Sequence, residues 1–243
     1  MKKSYWDTES YFEQPSAEQL KKNAAETAKK AKAKGRILHP VIINGRKIAG
    51  SWWGSAWCEN LERYADYENR LERGRRYVRT GAVVDLQIEK GQVHAKVQGR
   101  KKTPYKIEIR ISPVNEERMQ SIMAECGSRI EDLDRLLKGD FPTELKDTFL
   151  GSGGLFPTPR EISFNCSCPD WALMCKHVAA VLYGIAVRFD EDPLLFFVLR
   201  GIDVDRFVQV TLENSVESML VNADVKSERI IESDDWETLF GLA

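Results

Sequence analysis

Cys166, Cys168, Cys175 and His177 fall within twelve consecutive positions and read C-x-C-x6-C-x-H. Three thiolates and one imidazole can occupy the corners of a tetrahedron around Zn2+, with Zn–S near ~2.3 Å and Zn–N near ~2.0 Å. Four protein ligands leave no position for water or substrate, so the chemistry expected here is structural rather than catalytic. A disulfide framework fits poorly: cysteines two apart bridge badly, and an odd cysteine would be left over. The chain has five cysteines and three histidines, and three of the former and one of the latter gather in this single stretch. In a reducing compartment such clustering points to metal. No signal-peptide pattern and no apolar run of membrane-spanning length is found, so a cytoplasmic location without membrane contact is expected.

The flanking residues must hold these ligands in place. Glu161-Ile162-Ser163-Phe164-Asn165 reads as a short strand entering the first pair of cysteines, and Pro169-Asp170 as a turn. Cys175 and His177 open a helix over 178–187, whose Val178, Val181, Leu182 and Ile185 form an apolar stripe. A thiolate at a helix N-terminus is stabilised by the helix dipole. Zinc binding in such sites supplies roughly 10–16 kcal/mol in peptides, more than the net stability of most domains. One structural zinc is therefore expected, and the segment should not fold without it.

Around this cluster the residues Cys-Ser-Cys-Pro-Asp-Trp-Ala and Cys-Lys-His-Val-Ala-Ala-Val-Leu-Tyr-Gly closely resemble the SWIM zinc finger, whose pattern is C-x-C-x(n)-C-x-H. The likeness to bacterial SWIM zinc finger proteins extends to Trp53-Gly54-Ser55-Ala56-Trp57-Cys58, Asp66 to Leu71, Gly74 to Arg79, and Gly154-Leu155-Phe156-Pro157. It covers roughly residues 37–202. The resemblance implies a zinc-binding, DNA-associated protein of the kind met beside Swi/Snf-type helicases, in transposases and in recombination accessory proteins.

The formal net charge of −1 hides an asymmetry. Residues 1–110 carry 24 Lys/Arg and 13 Asp/Glu, a net of +11, whereas residues 111–243 carry 12 and 24, a net of −12. A basic half suits a polyanion such as nucleic acid, and an acidic half suits a basic protein surface. The apolar fraction of 42% is sufficient for a folded core.

The chain opens with Tyr5, Trp6, Tyr11 and Phe12, aromatics that could anchor the terminus. Ser16 and Gln19 form a capping-box signature for a lysine-rich helix running to about Lys34 and stopped by Gly35, with an inner stripe of Ala17, Ala24, Ala28 and Ala31. Val41 to Ile43, Asn44-Gly45 and Arg46 to Ile48 read as a small hairpin with a type I′ turn. Trp52, Trp53, Trp57, Leu61 and Tyr64 recur at helical spacing and read as core, with Cys58 a small buried side chain among them. A β meander follows: Ala82, Val84, Leu86 and Ile88, then Val93, Ala95 and Val97, then Tyr105, Ile107, Ile109 and Ile111 alternate with polar residues. Its open face would carry His94, Lys96, Lys106 and Arg110. The candidate phosphate contacts are Arg73, Arg75, Arg76, Arg79, Lys96, Arg100, Lys101 and Lys102.

Ser112-Pro113 is expected to start a helix to about Cys126, with a second over 130–137. Gly151 to Gly154 read as a flexible link. Asp192-Pro193 starts an apolar helix, a short helix follows over 203–212, and from Asn222 the chain turns polar. In the acidic end segment Trp236, Leu239 and Phe240 lie at i, i+3 and i+4 and form a candidate partner-docking face. The expected class is α+β: an antiparallel β meander with flanking helices, plus a small zinc-nucleated β-hairpin and helix. The expected division is a basic arm (1–36), an α+β unit (37–150), the zinc finger (151–202) and an acidic helical tail (203–243).

No phosphate-binding glycine loop, nucleophile elbow or paired-carboxylate motif stands out, so no catalytic residues and no small-molecule substrate are expected. The reading favoured is a non-enzymatic zinc protein that binds nucleic acid, DNA foremost, through its basic half as an accessory to a helicase, remodelling or repair factor. The alternative is an adaptor that docks a Swi/Snf-type helicase with little DNA affinity of its own.

Overall fold

Period-two alternation produces three strands, β1 (Val83–Glu89), β2 (Gln92–Val97) and β3 (Tyr105–Ile111). Gly91 takes the left-handed conformation (φ 69°) that the tight β1–β2 turn requires. The computed structural model describes residues 14–126, 146–151 and 154–223. In it a fourth strand, β4 (Ile162–Cys166), pairs antiparallel with β3, giving the order β1-β2-β3-β4. The finger's strand thus takes the edge of the meander as its partner instead of a hairpin of its own. The reason is local: from Cys166 the chain bends towards a helix, and among the described residues no second strand lies nearby in sequence.

That helix, α6 (Lys176–Glu191), lies at the centre of the fold. Twelve of its sixteen residues are buried, so the apolar stripe read from sequence is only part of a helix covered on all sides. On one side it meets all four strands, whose apolar face presents Val93, Val97, Ile107, Ile109 and Ile111, each at most 3% exposed. On the other it meets α2 (Trp52–Glu62) and α3 (Glu68–Arg79). Glycines permit the closest approaches. A Cβ on Gly74 of α3 would lie 2.5 Å from the Ala179 Cβ, and one on Gly184 would lie 2.9 Å from Leu86 Cδ1.

Side-chain caps set where the early helices begin. Ser16 caps α1 (Ala17–Ala33) by accepting from the Gln19 N–H at 3.1 Å. Leu20, fully buried, anchors α1 more than its alanines do. Ser51 caps α2, and Asp190 at the end of α6 accepts from the Gly50 N–H (2.5 Å) and the Ser51 hydroxyl, tying the two helices together. The fourth helix, α4 (Glu116–Cys126), starts later than Ser112-Pro113 would have it, because Asn115 supplies the cap by accepting from the Arg118 N–H at 2.8 Å.

Two other expectations are corrected. Residues 41–48 form no hairpin; the segment instead runs beside β1, with Val41 N–H donating to Val83 C=O (3.0 Å) and Leu86 N–H to His39 C=O (2.9 Å). Bonding to an existing strand satisfies these backbone groups better than an isolated two-stranded ribbon would. The apolar helix expected after Pro193 is present as α7 (Leu195–Leu199), following a turn at Pro193 and Leu194. The last helix, α8 (Val204–Ala223), is 20 residues long and continues past Leu212. A short helix, α5 (Lys146–Leu150), completes the described elements. Tyr5, Trp6, Tyr11, Phe12, the helix expected over 130–137, Ser152 and Gly153 lie outside the described residues, as does the side chain of Cys126.

The tryptophan-rich α2 is core, as its spacing implies. Trp57 is fully buried, packs on Phe189 (ring centroids 5.1 Å apart) and Phe196 (6.0 Å), and donates from Nε1 to the Leu182 C=O at 3.1 Å. Leu155 and Phe156 of the Gly-Leu-Phe-Pro stretch join this cluster, and Pro157 C=O accepts from Tyr64 and Asn60. At the far end of β4, Glu161 binds the fully buried Arg200 guanidinium (2.7 Å) and Arg118 (3.2 Å). Arg200 also donates to Ser112 C=O at 2.7 Å. Burial alone would raise the Glu161 carboxyl, but the hydrogen bonds from Arg200 and Thr158 hold it at about 2. Replacing Glu161 by Gln leaves a buried guanidinium without its carboxylate. The variant is expected to lose about 3 kcal/mol at pH 7 by chemical denaturation. An unchanged midpoint would show that the pair contributes nothing net.

Candidate metal centre

The C-x-C spacing acquires a geometric meaning at the end of β4. Cys166 is the last residue of β4, and the chain bends through Ser167 to Pro169, which brings the Cys168 sulfur into the same cluster as that of Cys166. Ser167 between them keeps the ladder going: its N–H donates to Lys106 C=O (3.0 Å), and its Oγ accepts from the Lys106 N–H (2.9 Å). The second pair comes from a helix start. Cys175 is the N-cap of α6, with extended backbone at φ −70° and ψ 165°, and His177 lies in the first turn. A thiolate at that cap faces the positive end of the helix dipole.

The four ligand atoms all lie within 4.8 Å of one another. His177 Nδ1 is 3.9 Å from the sulfurs of both Cys166 and Cys175. A tetrahedron with ~2.3 Å bonds has edges of about 3.8 Å, so the donor set fits zinc. The two inner ligands, Cys175 and His177, are 1% and 2% exposed. The hydrogen bond with Cys166 pulls the Cys168 thiol far down and pushes Cys166 up, as expected where crowded sulfurs compete for protons. Burial lowers the His177 imidazole below its ordinary value and so favours the neutral, metal-binding form. With Nδ1 aimed at the sulfurs, the proton belongs on Nε2, which is buried and without a hydrogen-bond partner among the described residues. Aromatic rings hold the imidazole instead. Tyr105 stacks on it at 4.3 Å, and Tyr77 meets it edge-on at 5.4 Å.

Residues 165–183 match the family model of the SWIM zinc finger. The segment is a SWIM zinc finger. Its Cys3His cluster is a site for one structural zinc ion, with Cys166, Cys168, Cys175 and His177 as ligands. The chain is also similar to the uncharacterized protein Rv2102 of Mycobacterium tuberculosis, at 41% identity over 156 residues. That match covers 63% of this chain and 56% of the relative, so the chain spans little more than half of the relative's length. No solved structure matches the chain.

The SWIM finger's loop is braced by α3 and the residues just before it, a support that sequence reasoning missed. Asp66 accepts from the backbone N–H groups of Leu173 (3.0 Å) and Met174 (3.3 Å). Arg70 pairs with Asp170 at 3.2 Å, and Tyr67 meets Trp171 edge-on at 5.6 Å. The Asp66 to Leu71 segment carries part of the family resemblance, but nothing in the linear sequence links it to residues about a hundred positions later. Only the packing of α3 on α6 does so.

The candidate phosphate contacts are distributed unevenly. Arg75 is drawn inward, bound to Glu62 (2.6 Å) and lying over the Tyr183 ring at 5.4 Å. Arg79 donates to Arg46 C=O at 2.6 Å. Lys96 pairs with Asp85 (2.6 Å). Burial works to raise that carboxyl, but hydrogen bonds from Lys96, the His39 N–H and Gln87 hold it below the ordinary range. Arg73 and Arg76 are half-buried, Arg76 donating to Gln14 Oε1 at 2.9 Å, and burial pushes the Tyr77 hydroxyl up to about 12 against their positive charge. Arg100, Lys101 and Lys102 are exposed in the β2–β3 loop, with Lys101 over Tyr105 at 5.5 Å. His94, Lys106 and Arg110 are exposed on the open face of the sheet. Trp236, Leu239 and Phe240 lie outside the described residues.

Two outcomes follow for the centre. Cys175→Ser should bind no zinc by elemental analysis. Because α6 is packed against every strand, its loss should also lower the stability of the whole chain and not of residues 164–187 alone. Undiminished zinc in that variant overturns the ligand assignment. Asp66→Ala should keep the metal but bind it about tenfold more weakly in competition with a chromophoric chelator. Unchanged affinity would show that the loop holds its shape without this brace.

Proposed function

We propose that this chain is a non-enzymatic nucleic-acid-binding protein in which zinc holds a basic surface in shape. In this reading it serves as an accessory to a DNA helicase, remodelling or repair factor, with a Swi/Snf-type helicase as the partner that the resemblance implies. The observation that carries the reading is the setting of the Gly99–Lys102 loop. Asn23 of α1 donates to Gly99 C=O at 3.0 Å, Thr27 to Gln98 Oε1 at 2.7 Å, and Lys101 lies over the ring that stacks on the zinc histidine. The lysine-rich α1, the Arg100-Lys101-Lys102 loop and the Arg73–Arg76 turn of α3 therefore lie on neighbouring surfaces around the finger. Such a concentration of cations suits phosphate backbones.

Two further facts support a non-catalytic role. All four positions of the zinc tetrahedron are supplied by protein. Burial pushes the Cys58 thiol up to about 12, which keeps it protonated at neutral pH and unsuited to nucleophilic attack.

Affinity for DNA should fall steeply with salt, by a log–log slope of about 0.9 per phosphate contact on a duplex. Arg100→Ala, Lys101→Ala and Lys102→Ala combined should weaken binding equally across sequences and flatten that slope, measured by fluorescence anisotropy at several salt concentrations. A triple variant that binds like the parent removes the loop from the contact surface. A parent protein that binds neither duplex nor single strand at low salt makes the helicase-docking adaptor the better reading.

A further inference from the structure

The SWIM finger displays two large apolar side chains to solvent. Trp171 is 80% exposed and Leu173 79%, on the loop that links the two ligand pairs. Isolated exposed hydrophobic residues are ordinary, but these are held with unusual firmness. The loop is closed at both ends by metal ligands, its backbone N–H groups at Leu173 and Met174 are taken by Asp66, and Asp170 is tied to Arg70. Tyr67, itself 40% exposed, supports the indole edge-on, and the Arg70 guanidinium lies 6.0 Å from the Tyr67 ring centre. An indole fixed in this way loses little conformational entropy on binding.

The charge beside it selects the kind of partner. Asp170 and Arg70 neutralise one another, and the Asp66 carboxylate is turned to the loop's own backbone N–H groups. The helix that follows Tyr67 carries five arginines against two glutamates. Beyond the neutralised Arg70, Arg73 and Arg76 continue the stripe to about 9 Å from it at 1.5 Å per residue, and Arg76 donates to Gln14 Oε1 at 2.9 Å, a neutral partner that leaves its positive charge unbalanced. The stripe leads from the Tyr67–Trp171 pair to Tyr77 and the zinc histidine. A flat aromatic face at one end of a cationic track is the arrangement on which unpaired bases stack while phosphates follow the charges. Duplex DNA keeps its base faces covered and cannot use the indole in this way.

We infer that Trp171 is a stacking platform for single-stranded nucleic acid, with Arg73 and Arg76 on α3 guiding the backbone away from it. The inference rests on the nucleic-acid reading above and assigns the unpaired strand to the finger itself.

The test uses the intact zinc-loaded chain with a 12-nucleotide oligo-dT and a 12-base-pair duplex. Trp171→Ala should bind oligo-dT about fivefold to a hundredfold more weakly, the range that loss of one stacked base produces. Its zinc content, melting temperature and duplex affinity should match the parent. Trp171→Phe should recover most of the oligo-dT affinity, and the intrinsic fluorescence of the parent, but not of the Ala variant, should be quenched by the oligonucleotide. If Trp171→Ala binds oligo-dT as the parent does, the platform is wrong while nucleic-acid binding stands, and the exposed indole is then a surface for protein. If the parent binds no nucleic acid at low salt, both readings fall together. Equal weakening towards duplex and single strand also overturns the inference, because it shows a general loss of surface and not of stacking.

Discussion

The metal centre joins two elements that the chain alone connects only through a loop. Cys166 ends β4, and Cys175 caps α6. Binding one zinc between them therefore sets the position of the helix start against the sheet edge. That position matters because α6 meets all four strands on one side and α2 and α3 on the other. Its contacts are close enough to tolerate little error: Gly74 and Gly184 stand where any side chain would collide with Ala179 and Leu86. Interiors packed to crystal-like density do not absorb a shift of even a methyl group without cost. The other end of β4 is held by charge, through Glu161 and the buried Arg200, so the edge strand is secured at both ends by polar chemistry and along its length by the β3 ladder.

The same arrangement divides the cations into two populations. Arg70, Arg75, Arg79 and Lys96 answer partners inside the protein: Asp170, Glu62, a backbone carbonyl and Asp85. Those of α1, of the Gly99–Lys102 loop and of the outer side of α3 remain around the finger. The imidazole of His177 links this surface to the metal, clasped by Tyr105 and Tyr77 from two directions, with Lys101 over one ring and Arg73 and Arg76 beside the other. A finger that lost its zinc would thus loosen the rings against which these charges are set. The zinc is structural in its coordination and still governs the shape of the surface that the proposed function uses.

The four metal ligands, the meander, the capped first helix and the tryptophan core were legible in the sequence because each depends on short-range rules. Tetrahedral ligation needs four donors at fixed spacing, strands need period two, and a cap needs its acceptor three residues from the donor. Residues 41–48 show the limit of such rules. Asn44-Gly45 has the local chemistry of a hairpin turn, yet the backbone of Val41 finds Val83 instead. A locally adequate turn lost to a pairing that was available only once β1 existed.

The sequence by itself determined what binds the metal, because three thiols and an imidazole within twelve residues admit few other chemistries. It also determined that the first half is a cationic body and that the tryptophans of α2 belong inside. Only the tertiary structure decided where β4 pairs, that α6 is buried on every side, and that Asp66 and Arg70 brace a loop about a hundred residues away. It likewise decided which arginines are spent within the protein and that Trp171 points to solvent while Trp57 does not. The division has one physical cause. Ligation, capping and periodicity act through neighbours along the chain, whereas burial and charge pairing depend on what the fold brings near, which no local spacing encodes.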